Sequence, residues 1–273
     1  ILYSLENYDE ALENFLKLKG SEKFSSIVPY YIVQIYFIKK DYDKVIELLS
    51  EIINDLQPSR YSEMNRLLAE AYFHVNDFNN ATIYFENYMD ASQPSDYDLY
   101  LLGLSYYNIN NYQNAIDNFI NISSLSDTLI QYSAYYLGFC YINLNNLNYA
   151  MQAFKKSSDL NYNWKLKEES YYNFAKLSYE LNLPFDNTLK VLTQYNKIFK
   201  RSLKHNEEIL SLLVNLYQGS SQYINAYNQL NSLVSLDNDK QLAMQNISYI
   251  LGVQSYNKQN YNQAIQYFKK ANN

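Results

Sequence analysis

The chain has 273 residues, of which 48% are hydrophobic and 18% charged, and its net charge is −6. This composition excludes wholesale disorder, and the acidic balance argues against nucleic acid as the main partner. Five Gly and four Pro are too few for a sheet-rich fold of this size, so long helices joined by short loops are predicted. One Cys and two His argue against a disulfide framework and against a metal site, and we expect no cofactor.

A short pattern recurs eight times along the chain. A large apolar residue opens each second helix of a helical pair, a small or short residue follows three positions later, and a bulky residue follows four positions after that. The opening residues are Tyr8, Tyr42, Phe78, Tyr112, Leu147, Phe185, Tyr223 and Tyr261, at intervals of 34 to 38 residues. The small or short residues are Ala11, Val45, Ala81, Ala115, Ala150, Thr188, Ala226 and Ala264. The bulky residues are Phe15, Leu49, Phe85, Phe119, Phe154, Leu192, Leu230 and Phe268.

The first helix of each pair also carries a pattern. Nine residues before the opening residue, three units have a glycine: Gly103, Gly138 and Gly252. The unit of Phe185 has Lys176 at the same position. A Tyr lies six residues before the opening residue in most units: Tyr36, Tyr72, Tyr106, Tyr141, Tyr179 and Tyr217. The small side chains are expected to let the paired helix approach closely. Part of the Tyr and Asn excess is attributed to codon bias.

The spacing predicts the helices in chain order. First helices are expected near 26–39, 61–75, 97–109, 129–144, 166–181, 206–219 and 243–258. Second helices are expected near 7–19, 41–55, 77–90, 111–124, 147–159, 185–200, 222–235 and 260–271. The domain prediction is therefore one array over 1–273, with seven complete hairpins at about 26–271 and a leading partial repeat at 1–20. The last three intervals of 38 residues predict a longer helix or linker there.

One uncharged run, Thr128–Phe154, is long enough to span a bilayer. Four Asn lie near its middle, which is too costly for a membrane span. Two helices joined by an Asn turn, with no direct membrane insertion, are predicted instead.

The pattern resembles the tetratricopeptide repeat (TPR), and the resemblance covers essentially the whole chain. It implies an all-α fold, a right-handed α-solenoid superhelix of stacked helix-turn-helix repeats, whose first helices line a concave groove. The family generally uses that groove to hold peptide segments of other proteins. Family groove positions map onto Tyr30, Gln34, Phe37, Arg66, Glu70, Phe73, His74, Tyr97, Tyr100, Leu104, Tyr107, Tyr132, Tyr135, Phe139 and Asn143. The Lys and Asn clamp of the chaperone-binding subtype is absent from these positions.

Charge is distributed unevenly along the chain. Residues 1–100 carry 17 acidic and 8 basic side chains, a net of −9, whereas residues 155–204 carry 10 basic and 5 acidic ones, a net of +5. Solvated helix faces of varying sign are the preferred interpretation. A second contact surface at Lys197, Lys200, Arg201 and Lys204 is the alternative.

The leading hypothesis is a non-enzymatic scaffold that holds a peptide or protein segment in the groove, as one part of a larger assembly. No phosphate loop, nucleophile elbow or paired-His motif is present in the sequence, so we predict no catalysis and no metal. Two alternatives stay open: a carbohydrate- or peptidoglycan-binding domain, and a recruiting arm of an enzyme whose catalytic domain lies outside this segment. The composition resembles long bacterial TPR proteins, which favours the cell envelope (periplasm) over the cytoplasm and a segment of a longer array.

Overall fold

A computed structural model describes residues 2–24, 27–53, 58–123, 127–199, 204–220, 222–233, 236 and 238–272. The described residues are 82% helical and contain no strand. The all-α prediction is therefore confirmed. The α-helices are α1 (Tyr8–Leu18), α2 (Val28–Ile38), α3 (Tyr42–Ile52), α4 (Pro58–His74), α5 (Phe78–Ala91), α6 (Asp96–Asn108), α7 (Tyr112–Ile120), α8 (Asp127–Asn143), α9 (Leu147–Asp159), α10 (Trp164–Glu180), α11 (Phe185–Ile198), α12 (Asn206–Gly219), α13 (Tyr223–Asn231), α14 (Asn238–Asn257) and α15 (Tyr261–Ala271).

The helices group into two compact units, Ile1–Leu144 and Asn145–Asn273. In each unit every helix packs against the next one along the chain. First helices also contact the first helix of the following hairpin, as α4 does with α6 and α6 with α8. Each unit is thus a stack of helical hairpins whose apolar faces pack against one another.

The predicted small positions on the second helices lie in the core. Ala81, Ala115, Ala150 and Ala226 are all fully buried. In the first unit, the second helix α3 contributes Val45 and Leu49 to a cluster with residues of α2 and α4. The register predicted from the sequence is therefore confirmed at these positions.

The glycines of the first helices allow close helix packing. A methyl group added at Gly103 would lie 2.6 Å from Cε1 of Phe119, and one added at Gly252 would lie 2.5 Å from Cε1 of Phe268. Both distances are well under the ordinary carbon–carbon contact of roughly 3.5–4.0 Å. In both hairpins the bulky residue of the second helix therefore sits directly against the bare Cα of the first.

The hairpin turns share a conformation that their sequence supports. Two residues before the second helix, the backbone is left-handed at Lys40, Asn76, Asn110, Asn145 and Gln259, with φ between 58° and 62°. Asn tolerates this region better than most residues. The next residue then caps the second helix in several turns, as when Asp77 Oδ1 accepts a hydrogen bond from Asn80 N at 3.2 Å. The turn at Asn145 also separates α8 from α9, as predicted for the uncharged run.

One hairpin departs from the predicted register. The left-handed residue before α11 is Asn182, three residues ahead of Phe185 rather than two, because Pro184 is an additional residue in the turn. The first helix is thereby shifted by one position. Ala175, which is fully buried, takes the small position, and the assignment of Lys176 to it was wrong. Ser178 likewise takes the position that the sequence pattern gave to Tyr179. Its backbone carbonyl accepts a hydrogen bond from Leu183 N at 3.3 Å, which closes the turn.

The longer spacing in the second unit has a visible source. The first helix α14 has 20 residues, against 17 in the longest first helices of the first unit, α4 and α8. The extra turn residue before α11 adds to this. The prediction of longer helices or linkers there is confirmed, and a single continuous array over the whole chain stays a prediction.

Candidate functional site

All fifteen groove positions predicted from the sequence lie on α2, α4, α6 and α8, which are the first helices of the first unit. We call this set the first-helix face. Glu70 and Leu104 are buried, while His74, Tyr97 and Asn143 are exposed and the other ten side chains are half-buried. Most of the set is therefore within reach of a ligand, but several members also have partners within the protein.

At the junction of α2 and α4, a tyrosine and a glutamine share one carboxylate. Tyr30 donates its hydroxyl to Glu63 Oε2 at 2.9 Å, and Gln34 donates Nε2 to Glu63 Oε1 at 3.2 Å. The guanidinium carbon of Arg60 lies 4.7 Å from the Tyr30 ring centroid. Burial, together with the hydrogen bond to Glu63, raises the pKa of Tyr30 to about 12. These contacts join consecutive hairpins, so Tyr30 and Gln34 contribute to the stacking.

Between α4 and α6, two buried carboxylates share one guanidinium. Arg66 Nη1 lies 3.2 Å from Glu70 Oε2 and 4.0 Å from Asp98 Oδ1. Burial raises the pKa of Glu70, and the charges of Arg66 and His74 partly offset this effect. His74 Nε2 is 3.7 Å from Glu70 Oε1, and its ring stacks on Tyr42 at a centroid distance of 4.3 Å.

The first turn of α6 fixes the second carboxylate and presents a tyrosine beside it. Asp98 accepts from Ser95 N at 2.9 Å, and Ser95 Oγ accepts from Asp98 N at 3.2 Å, which forms a capping box. Tyr97 is 45% exposed. Partial burial and then the charge of Glu70 raise the pKa of Tyr97.

Between α6 and α8 the face is aromatic. The Tyr100 and Tyr132 rings meet edge to face at a centroid distance of 6.5 Å, and Tyr135 meets Phe139 in the same way at 5.0 Å. Tyr107 packs edge-on against Tyr136 at 5.3 Å. Edge-to-face contacts of this kind hold the rings in place while leaving part of each ring accessible. Burial raises the pKa of Tyr100, so its hydroxyl stays protonated.

Four residues that contact the predicted set were missed by the sequence reasoning: Tyr42, Glu63, Asp98 and Tyr136. Glu63 could have been included from the repeat pattern, because it occupies in α4 the position that Tyr97 occupies in α6. Asp98 could have been found from the Ser-x-x-Asp capping pattern at 95–98. Tyr42 was considered only as the opening residue of a second helix and Tyr136 was not singled out, and nothing in the sequence marks their contacts with the face.

Comparison with known proteins identifies the fold. A family model described as "Anaphase-promoting complex, cyclosome, subunit 3" matches residues 74–157, a little under a third of the chain. The solved structure of YrrB, described as a TPR protein with an unusual peptide-binding site, aligns at 16% identity with a TM-score of 0.54. That alignment covers 69% of this chain and 94% of YrrB. The chain has the tetratricopeptide repeat fold.

Two further solved structures are similar to this chain in fold. The C-terminal part of a TPR repeat-containing protein from Cytophaga hutchinsonii has a TM-score of 0.53 at 11% identity, covering 88% of this chain and 92% of its own. The structure of Naa15/Naa10 bound to HypK-THB has a TM-score of 0.58 at 11% identity, covering 96% of this chain and 42% of that one. No curated protein sequence matches the chain.

The second TPR unit repeats the polar junction of the first with different residues. Tyr172 donates its hydroxyl to Glu208, and Lys176 Nζ lies 3.0 Å from the same carboxylate. The His205 ring stacks on Tyr172 at 3.8 Å, and its Nε2 is 3.1 Å from Glu169 Oε2. A tyrosine and a residue four positions later thus converge on one Glu of the next hairpin in both units.

The described residues offer little for other chemistry. Among them, no group of three or more His, Cys, Asp or Glu side chains is arranged to hold a metal ion. No helix within the described ranges combines the length and apolarity that a membrane crossing requires. Cys140 is fully buried, which raises the pKa of its thiol to about 12. Of the predicted basic contact, Lys200 and Arg201 lie outside the described residues.

Proposed function

We propose that this chain is a non-enzymatic protein-interaction scaffold, and that the first-helix face of its first unit holds a peptide or protein segment. The observation that supports this most directly is the partly accessible aromatic surface on α6 and α8. Aromatic side chains give a large contact area at low entropic cost and are enriched where proteins bind each other. Tyr97, with 45% of its surface exposed, is the most accessible of these rings on α6.

The comparisons support the same function at a coarser level. YrrB is described as having a peptide-binding site, and the Naa15/Naa10 structure is of a complex. Both share only the fold with this chain. The residues that would bind here are therefore proposed from the local contacts. At the junction of α2 and α4, Tyr30 and Gln34 already donate hydrogen bonds to Glu63. The contacts with a bound peptide are therefore assigned mainly to α6 and α8.

The proposal is tested by peptide selection. A phage-displayed library of random peptides is selected on the full chain and, in parallel, on the double variant Tyr97→Ala/Tyr100→Ala. The matched control is Tyr162→Ala/Tyr249→Ala, which removes two exposed tyrosines of the second unit. Circular dichroism confirms that each variant is folded.

We expect peptides that are enriched on the wild-type chain and on the control variant, and that are lost on the face variant. Equal enrichment on all three proteins would overturn the assignment of the face. Absence of any enriched peptide, combined with retention of the wild-type chain on immobilised peptidoglycan, would favour the carbohydrate-binding alternative, because tyrosine faces also stack on sugar rings.

A further inference from the structure

The C-terminal half of the first unit contains no Lys or Arg. Residues 67–154 carry eight Asp or Glu side chains and not one Lys or Arg. This stretch includes α5, α6, α7 and α8, and so both helices that carry the aromatic part of the first-helix face. A surface of one sign attracts partners of the opposite sign and repels those of the same sign.

The local geometry adds to this overall charge. Glu70 and Asp98 are both buried and share the single guanidinium of Arg66. His74 Nε2 also lies 3.7 Å from Glu70 Oε1. Two carboxyl groups thus share a single guanidinium beside the exposed Tyr97. A cation that reaches this point would gain a carboxylate partner and an aromatic face.

The aromatic surface suits the same kind of ligand. Cations are attracted to the faces of Tyr rings when they lie within about 6 Å of the centroid. The apolar stems of Lys and Arg also cover aromatic surface while their charged ends stay in water. Tyr100, Tyr132 and Tyr135 offer such rings on adjacent helices, and neither α6 nor α8 carries a competing base.

Taking the proposed binding function as its basis, we propose that the first-helix face selects an extended basic segment of a partner protein. One Lys or Arg of that segment lies at Glu70 and Tyr97. Apolar and further basic side chains follow across Tyr100, Tyr132 and Tyr135. Acidic segments are disfavoured, because α5 to α8 carry no Lys or Arg and Arg66 of α4 is already paired with Glu70 and Asp98.

The test uses three capped twelve-residue probes with a fluorescent label, built from Ser, Leu, Pro and one variable residue at three places. The variable residue is Lys in the first probe, Gln in the second and Glu in the third. Binding to the full chain is measured by fluorescence anisotropy at about 50 and 150 mM salt, where the Debye lengths are roughly 14 and 8 Å. Sedimentation velocity of the unlabelled chain is recorded under the same conditions.

We expect the Lys probe to bind at least about tenfold more tightly than the Glu probe, with the Gln probe between them. Glu70→Gln should weaken the Lys probe by about fivefold or more at 150 mM salt. The matched control Asp90→Asn removes the same charge from the exposed end of α5 and should change binding less than about twofold, since distant charges are screened. If Glu70→Gln does not fold, Tyr97→Ala serves instead, because Tyr97 is 45% exposed, and a loss of at least about threefold is expected.

Several results would overturn this inference. Equal affinity for the Lys and Glu probes, or equal effects of Glu70→Gln and Asp90→Asn, would remove the charge selectivity. If the peptide selection still yielded ligands dependent on Tyr97 and Tyr100, the binding function would stand and only the basic specificity would fail. Salt-sensitive self-association that the Lys probe reverses would instead identify the occupant as a second copy, through its basic stretch at 155–204.

Discussion

The contact between Gly103 and Phe119 gives the sharpest test of the packing. In the variant Gly103→Ala the new methyl carbon would lie 2.6, 2.8 and 3.0 Å from Cε1, Cδ1 and Cζ of Phe119. The ring must therefore retreat by about 1 Å to restore ordinary contact. It has little room to do so, because Phe119 is only 2% exposed and its ring is flanked by Tyr100 and Tyr136 at 6.2 Å each.

The magnitude follows from two opposing effects. Overpacking a well-filled core costs about 1–3 kcal/mol, whereas replacing Gly by Ala inside a helix gains about 0.5–1 kcal/mol. We expect a net loss of about 1–2 kcal/mol for Gly103→Ala. Gly252→Ala creates a similar clash with Phe268, but that ring is half-buried near the end of α15 and can move, so a smaller loss is expected.

The assay is urea unfolding followed by circular dichroism at 222 nm. Gly219→Ala is the control, because a methyl group there meets nothing within 4 Å and should leave the midpoint unchanged or slightly raised. The double variant Gly103→Ala/Phe119→Leu should recover part of the loss, since the two positions are coupled. A Gly103→Ala protein as stable as Gly219→Ala would refute the idea that close approach explains this glycine.

Three further predictions concern other features. Cys140 should react slowly with a thiol reagent in the folded chain and fast in denaturant, because it is fully buried and its thiol pKa is raised to about 12; fast labelling of the folded chain would contradict the structure. Tyr30 has a folded pKa of about 12 against an ordinary value of 10, so the stability that it contributes is complete below pH 10 and is lost between about pH 10 and 12. Tyr30→Phe should reduce this alkaline loss of stability, measured as the urea midpoint against pH, and an unchanged slope would contradict the raised pKa of Tyr30 as its source. Lys40→Gly should raise the free energy of unfolding by about 0.5–1 kcal/mol, because Lys40 is in the left-handed region. Asn110→Gly should change that free energy little, because Asn tolerates this region. Equal shifts of the urea midpoint in the two variants would argue against backbone strain as the cause.

The repeat architecture could be predicted because its signal is local and recurs. Small residues three positions into each second helix must face the core, so Ala81, Ala115 and Ala226 identified the register without knowledge of the neighbours. The α12 boundaries at 206–219 follow from the same pattern. A single inserted residue defeats such reasoning, as Pro184 does, because periodicity alone cannot show whether the insertion lies in the helix or in the turn.

The polar contacts of the candidate site were harder to predict. Glu63 and Tyr30 are 33 residues apart, and only the stacking of two hairpins brings them together. The Asn residues were also misjudged in part. Asn76, Asn110 and Asn145 adopt the left-handed backbone that each hairpin turn requires, so codon bias does not account for them. The pattern of Asn two residues before a large apolar residue was a turn signal.

The stretch without lysine or arginine has a practical consequence for handling the protein. Trypsin, which cleaves after these residues, has no site between Arg66 and Lys155 and would release 67–155 as one long fragment. Amine-reactive dyes and lysine-coupled sensor surfaces likewise attach outside α5 to α8. A chain immobilised or labelled through its lysines therefore keeps the aromatic surface chemically unaltered.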